Sequence, residues 1–334
     1  MSAQEHSVTP ERIIQLAWGY APPLILEAAL RHNVFDLLEN GPKNLTELTQ
    51  LTHASGRGLS VILNALVGFA FLSREGDRYA LTPESATFLV RSKPSFIGGM
   101  ILHTSEQLLP KWLRLNHVVS TGKPDQSVNQ QHAGEEFFHQ FVNDIFPMSY
   151  PAACALAAHL NLVGEKSILD LAAGSGVWGI ALAQHSPEVK VTIVDWPGVV
   201  DVAKANARRF GMAARFSFSE GDLLSADFGT GHDLATLGHI LHSEGEARSR
   251  ALLKKTFAAL KSGGTIAIAE FLVNADRTGP INGLIFAVNM LVNTDEGNTY
   301  SFEEISSWLT EAGFTDARAL PSPGPSPLIL ATKP

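Results

Sequence analysis

The sequence predicts a mainly helical N-terminal part followed by a parallel α/β sheet. Three observations predict it. Apolar residues recur at three-to-four spacing through roughly the first hundred positions. From residue 165 onward, short strand-like apolar runs alternate with helical segments, the pattern of a parallel sheet. The chain has 334 residues, 45% hydrophobic and 17% charged, with a mean hydropathy of +0.07. That balance belongs to a compact globular protein long enough for two domains.

The elements follow in order. The stretch PERIIQLAWGYAPPLILEAALRHNVFDLLENG carries Ile14, Leu16, Ala17, Leu24, Leu26, Ala28, Leu30 and Phe35 at helical spacings, and it stops at Asn40-Gly41-Pro42. Thr46 with Glu47-Leu48 opens a second helix, and Ser55 precedes a third, GRGLSVILNALVGFAFL. FLSREGDRYALT reads as a hairpin around Glu75-Gly76-Asp77. Three helices and a hairpin form the winged-helix order, which raises the question of DNA. Residues 1–100 hold eight basic residues against nine acidic ones, and the third helix carries only Arg57 near its start. Phosphate neutralisation needs several Lys or Arg on one face, so residues 1–95 are expected to be a packing module for dimerisation. Residues 96–160 read as a helical connector, broken at Gly122-Lys123-Pro124-Asp125. Strands are expected at Ser167–Leu171, Val191–Asp195, Ala214–Ser219, Asp233–Leu237 and Thr265–Glu270, with helices beginning near Val177, Val199, Gly245 and Ser301. DARALPS and PLILATK, around a Pro-Gly-Pro turn, read as an antiparallel pair that completes a domain over 161–334.

Composition narrows the function. Net charge is −8, which disfavours nucleic acid and anionic membranes as partners. The single cysteine, Cys154, excludes an internal disulfide and a cysteine-rich metal site. The start, MSAQEHSVTPER, has no basic and apolar signal pattern, and no apolar run approaches the ~18 residues of a membrane span. A cytoplasmic protein is the expectation.

Ile168 to Gly176 is a strand running into a small-residue turn, where a ligand can approach the backbone closely. Gly174-Ser175-Gly176-Val177-Trp178-Gly179 matches G-x-G-x-x-G, which alone is a weak dinucleotide signal. Its neighbours decide. Asp195 ends the next strand and suits ribose hydroxyls. Asp222, after the third strand, can accept from an adenine amino group. Asp170 precedes the turn, where a carboxylate repels a pyrophosphate and favours an ammonium or sulfonium. Acids ending three successive strands fit S-adenosylmethionine better than NAD.

From Ser167 to Phe271 the sequence resembles a class I S-adenosylmethionine-dependent methyltransferase. More narrowly it is similar to the small-molecule O-methyltransferases of the caffeate and hydroxyindole type. The matching segments are ILDLAAGSG, IVDWPGVVDVAKANA, EGDLL, ILHSEGEARSRALLKK, ALKSGGTIAIAEF and TYSFEEISSWLTEAGF, with YALTPESATFL closing the N-terminal part. The resemblance implies a Rossmann-like seven-stranded methyltransferase sheet of order 3-2-1-4-5-7-6, behind a winged-helix-like dimerisation domain that holds a homodimer. It implies a cofactor site of Asp170, Gly174, Ser175, Gly176, Asp195, Trp196, Asp222 and Leu223, and a small-molecule acceptor.

The resemblance also implies catalytic roles. Ile240-Leu241-His242 matches the segment that carries a general-base histidine, and Glu270 matches a carboxylate that orients it. The chemistry suits the residue, because a phenol of pKa about 10 is a poor nucleophile at neutral pH until an imidazole takes its proton. Two departures stand out. The usual aspartate-tryptophan after the histidine is Ser243-Glu244, and the second family carboxylate is replaced by Thr299, with Asp295 and Glu296 nearby. They leave open carbon methylation, or a decarboxylase or hydroxylase on the same frame. Met148, Phe286, Asn289, Met290 and Asn293 are expected to line the acceptor site. His239 and His242 lack a third ligand at suitable spacing, so no metal is expected.

Overall fold

A computed structural model describes residues 8–160, 162–324 and 326–334. It divides into two compact units, Met1–Glu106 and Gln107–Pro334. Residues 96–106, expected in the connector, thus join the first unit, because Phe96, Ile101 and Leu102 pack against its core. The rest of the connector belongs to the second unit, to which it is hydrogen-bonded: Val128 N–H donates to the Asn293 carbonyl at 2.8 Å.

The first unit contains α1 (Glu11–Ala17), α2 (Ala21–Arg31), α3 (Val34–Leu38), β1 (Lys43–Asn44), α4 (Leu45–Thr52), α5 (Gly56–Gly68), β2 (Leu72–Glu75), β3 (Arg78–Leu81), α6 (Pro83–Phe88) and α7 (Gly98–His103). The long N-terminal apolar stretch breaks twice. It breaks at Trp18–Tyr20, ahead of two prolines in the first turn of α2, and at Asn33, which is left-handed at φ 54°. Asn44, rather than Thr46, starts α4. Its side chain accepts from Glu47 N–H, and the Glu47 carboxylate accepts from Asn44 N–H at 2.7 Å, a reciprocal cap. The strands pair antiparallel in the order β1-β3-β2. Phe35, Leu48, Leu63 and Leu66 are fully buried, each contributing about 1.5–3 kcal/mol.

Helix α1 buries nothing: Ile13, Leu16 and Trp18 are 72%, 73% and 63% exposed. Within the 21 residues Glu11–Arg31, an 18-residue window reaches a mean hydropathy of 1.3, long and apolar enough by composition to cross a membrane. This amends the expectation that no apolar run is that long. The break at Trp18–Tyr20 interrupts it.

The second unit begins with α8 (Leu109–Trp112), α9 (Leu115–Thr121), α10 (Gln131–Asp144) and α11 (Phe146–His159). Then come β4 (Lys166–Leu171), α12 (Val177–His185), β5 (Val189–Asp195), α13 (Pro197–Arg209), β6 (Phe216–Glu220), β7 (His232–Gly238), α14 (Leu241–Ala259), β8 (Leu260–Ala269), α15 (Ile281–Asn293), α16 (Phe302–Ala312), β9 (Thr315–Leu320) and β10 (Leu328–Thr332). The sheet order is β6-β5-β4-β7-β8-β10-β9. Numbered within the sheet, this is the expected 3-2-1-4-5-7-6. Strands β4 to β8 are parallel, and β10 is antiparallel to β8 and β9. Alternate residues feed two cores: Ile168 and Ile193 face one, Leu169, Leu171 and Ile268 the other.

The chain winds one way from β4 to β6 and the other way from β7 onward. A crevice therefore opens at the carboxyl ends of β4 and β7, where such sheets bind ligands. One boundary differs usefully from expectation. Gly245 does not start α14 but lies inside it as a break, at φ 75° and ψ 167°. A Cβ there would fall 2.8 Å from the Glu296 backbone oxygen, so the first turn, bearing His242, is set off from the rest.

Candidate active site

The loop after β4 brings the glycines to the crevice. Gly174 and Gly176 have φ of 56° and 75°, a conformation that costs glycine little. Gly174 N–H donates to Asp195 Oδ2 at 2.9 Å, and Trp196 N–H donates to Oδ1 at 2.8 Å. Burial, reinforced by the charge of Glu135, pushes Asp195 up to about 6. The Asp195 carbonyl accepts from Gly221 N–H at 2.9 Å, tying the end of β5 to the loop that carries Asp222. The three acids thus lie at the ends of three adjacent strands.

They are not equivalent. Asp170 is fully buried, and both its oxygens are taken, by Thr236 Oγ1 at 2.7 Å and Gly179 N–H at 2.9 Å. It is a brace joining β4, β7 and α12 rather than an open contact, and burial pushes it up to about 7. Ser175 is buried too, its carbonyl accepting from Asn206 Nδ2 at 3.0 Å. The Trp196 ring packs on α10, 6.3 Å from the Phe138 ring and against Gly134. Asp222 accepts from Leu224 N–H at 2.9 Å and from Arg248 Nη2 at 2.7 Å, and Arg248 Nε donates to Glu244 at 2.6 Å. Leu223 turns its side chain into the core, and its carbonyl accepts from Lys255 Nζ at 2.9 Å. Its place in the expected cofactor set therefore rests on position in the loop, not on a free group.

His242 stands on the first turn of α14. Its Nδ1 lies 2.8 Å from Glu270 Oε2, and its backbone N–H donates to Oε1 at 3.3 Å. Burial alone would raise Glu270. Electrostatic attraction to His242 and the hydrogen bonds accepted from its ring and backbone N–H outweigh it and hold the carboxyl below its usual range. An ionised carboxylate only accepts, which assigns the proton to Nδ1 and leaves a lone pair on Nε2. That nitrogen has no hydrogen-bond partner among the described residues. Around the ring stand Phe286 edge-on at 4.9 Å, Phe271 at 6.1 Å and His239 at 6.4 Å.

The two departures from the family pattern have local partners. Thr299 is buried and its hydroxyl donates to the Gly283 carbonyl at 3.2 Å. Asp295 and Glu296 are exposed. Among the described residues no second carboxylate bonds to His242. Ser243 Oγ donates to Asn129 Oδ1 at 2.8 Å, and the Asn129 amide donates back to the Ser243 carbonyl. Asn129 and Arg248 are the residues that sequence reasoning missed. Asn129 lies in none of the matching segments and bonds to Ser243, distant in the chain; Arg248 lies within ILHSEGEARSRALLKK, but its bond to Asp222 joins two separate segments and forms only in the fold.

Of the expected acceptor residues, Phe286 meets the His242 ring directly. Asn289 Oδ1 accepts from Trp112 Nε1 at 3.0 Å and from Asn293 Nδ2 at 3.2 Å. Asn293 is 2% exposed, and its own Oδ1 is buried without a partner. Met290 is buried on the same helix. Met148, on α11, has its carbonyl beside Gly324 and no ring or hydrogen-bond contact with His242 or Phe286. His239 Nε2 lies 2.8 Å from Ser326 Oγ, and burial pushes this histidine down to about 4. Among the described residues no group of three His, Cys, Asp or Glu gathers as metal ligands.

Comparisons with known proteins bear on this arrangement. Residues 14–91 match the O-methyltransferase dimerisation domain, and residues 116–315 the O-methyltransferase domain. The chain is similar to 3-hydroxy-5-methyl-1-naphthoate 3-O-methyltransferase of Streptomyces sahachiroi, 30% identical over 331 residues, covering 97% of this chain and 95% of that protein. It is 29% identical over 337 residues to acetylserotonin O-methyltransferase of Bos taurus, covering 96% of each. Human N-acetylserotonin methyltransferase, solved in complex with S-adenosylmethionine, superposes with a TM-score of 0.87 at 25% identity, covering 100% of this chain and 99% of that one.

Proposed function

Because the chain belongs to the S-adenosylmethionine-dependent O-methyltransferases that carry a dimerisation domain, we propose that it methylates a hydroxyl of a small aromatic metabolite, with His242 as general base. The enzyme is a methyltransferase and its cofactor is S-adenosylmethionine, released as S-adenosylhomocysteine. The finer assignments below are ours.

One observation carries the reading. The His242–Glu270 pair presents an unpartnered Nε2 among aromatic rings, at the mouth of the crevice. Glu270 fixes the tautomer and orientation, as an acid does in a catalytic triad. Nε2 is placed to take the hydroxyl proton of the acceptor, which would leave the oxygen able to accept the methyl group as the carbon–sulfur bond breaks and the thioether leaves. When bound, the cofactor supplies that methyl on a sulfonium, already a strong donor, so the protein mainly aligns the partners. Gly174 and Gly176, with Ser175 behind them, give the backbone approach. Asp195 and Asp222 hold the nucleoside, Trp196 and Leu223 flank it, and Asp170 braces the loop. Phe286, Asn289, Met290 and Asn293 line the acceptor, with Met148 at its edge. The aromatic lining favours a flat ring, and the hydroxynaphthoate acted on by the Streptomyces relative is the natural first probe.

The test is transfer of a labelled methyl group to hydroxylated naphthoates. Product mass and fragmentation should place the label on oxygen. Label on carbon, or loss of carbon dioxide without label, would instead support the carbon-methylating or decarboxylating alternatives, which the single carboxylate on His242 motivates.

The assembly we propose is a homodimer through the first unit. The bare apolar side of α1, with Ile13, Leu16 and Trp18, needs a cover, and residues 14–91 match a dimerisation domain. A second copy supplies that cover.

A further inference from the structure

The indole of Trp178 is a buried donor that the mechanism leaves unused. Trp178 lies in the first turn of α12, directly behind the glycine loop, and is 4% exposed. Its Nε1–H has no hydrogen-bond partner among the described residues. It is also not among the sealed, unpaired atoms, so it faces accessible space. A buried tryptophan N–H ordinarily finds an acceptor.

Its neighbour shows where it points. Gly238 ends β7, beside the end of β4, at the point where the sheet winding reverses. A Cβ on Gly238 would lie 2.0 Å from Trp178 Nε1 and 2.7 Å from Cδ1. No side chain other than hydrogen leaves the indole edge in this place. The nitrogen therefore sits over the strand ends, on the opposite side of the glycine loop from Asp195 and Asp222.

The start of α12 adds donors. Gly176 caps the helix without a side-chain hydrogen bond, and the N–H groups of Val177 and Trp178 have no partner among the described residues. Gly179 N–H is already held by Asp170. Two free N–H groups at a helix start, with an indole N–H beside them, suit an anion. The acids of β5 and β6 suit the hydroxyls and amine of the nucleoside and would repel a carboxylate. The carboxylate at the amino-acid end of the cofactor thus belongs on the Trp178 side.

We propose that Trp178 Nε1, with the first N–H groups of α12, hydrogen-bonds the carboxylate of the amino-acid tail of S-adenosylmethionine. Holding the tail sets the distance of the sulfonium from His242. The proposal rests on the cofactor placement above, and the experiment separates the two.

Calorimetry compares S-adenosylhomocysteine with methylthioadenosine, which has the nucleoside and lacks the tail. Trp178→Phe removes the N–H and keeps the ring packing. It should weaken S-adenosylhomocysteine by about tenfold or more, the loss of a hydrogen bond to a charged group, and leave methylthioadenosine unchanged. Equal affinities for variant and wild type, or equal weakening of both ligands, would overturn the Trp178 assignment alone. Failure of the wild type to bind either ligand would overturn the cofactor placement as well. Gly238→Ala, which displaces the indole without removing it, should show the same selectivity. In the wild type, the 15N-labelled indole resonance that Trp178→Phe deletes should move downfield with S-adenosylhomocysteine and stay in place with methylthioadenosine. No difference between the two ligands would also overturn the assignment.

Discussion

The halves of the crevice proposed for the donor and for the acceptor are built by different means. The donor half comes from one continuous stretch, Asp170 to Asp222, and is made of backbone amides, glycines and acids at successive strand ends. The acceptor half is assembled from Trp112, Asn129, His242, Glu270 and Phe286, drawn from across the second unit, and holds one charged dyad among rings. The difference teaches that binding a cationic cofactor needs little beyond βαβ geometry. Positioning a proton acceptor needs long-range contacts.

Substitutions should therefore separate by half. The largest effect on binding is expected from Asp195→Ala. This carboxylate accepts from the Gly174 and Trp196 amides and is proposed to hold the nucleoside, so cofactor affinity measured by calorimetry should fall about a hundredfold. Next comes Glu270→Gln, which removes the charge that fixes the His242 tautomer. It should lower kcat about a hundredfold or more and leave the cofactor dissociation constant within about twofold; equal losses in both would erase the distinction between halves.

Acidity sharpens the comparison further. Asp195 and Asp170 are raised to about 6 and about 7 by burial. A cationic ligand favours the ionised acids, so its binding releases protons. Affinity for S-adenosylmethionine should be fully developed above about pH 7 and decline as pH falls through 7 and then 6, by at most about tenfold per unit for each group. Calorimetry in buffers of different ionisation enthalpy would detect the protons. The smallest effect should be that of Asn129→Ala. It loses two hydrogen bonds to Ser243, lowering Tm by about 2–4 °C and kcat modestly, with cofactor affinity unchanged.

The same division explains what the sequence made legible. The strand order, the glycine loop and the acids of β4 to β6 follow from alternating apolar runs and turn residues, which are local signals. Asp170 was visible as an acid, but not as a brace, because its partners Thr236 of β7 and Gly179 of α12 meet it only in the folded unit. Asn129 was invisible because a lone polar residue carries no pattern, and the role of Arg248 was invisible because its bond to Asp222 joins separate segments. The exposure of α1 was hidden too: its Ile14, Leu16 and Ala17 have helical spacing, and spacing alone does not reveal whether the core of the same chain covers them.

The most direct measurement is a paired one on His242→Ala: kcat with a hydroxylated naphthoate, and the dissociation constant for S-adenosylhomocysteine. Removal of the imidazole should lower turnover by about 10²–10⁴-fold, with donor affinity within about twofold of wild type. Undiminished turnover would contradict the assignment of His242 as the base. A matching collapse of donor affinity would contradict the separation of the two halves.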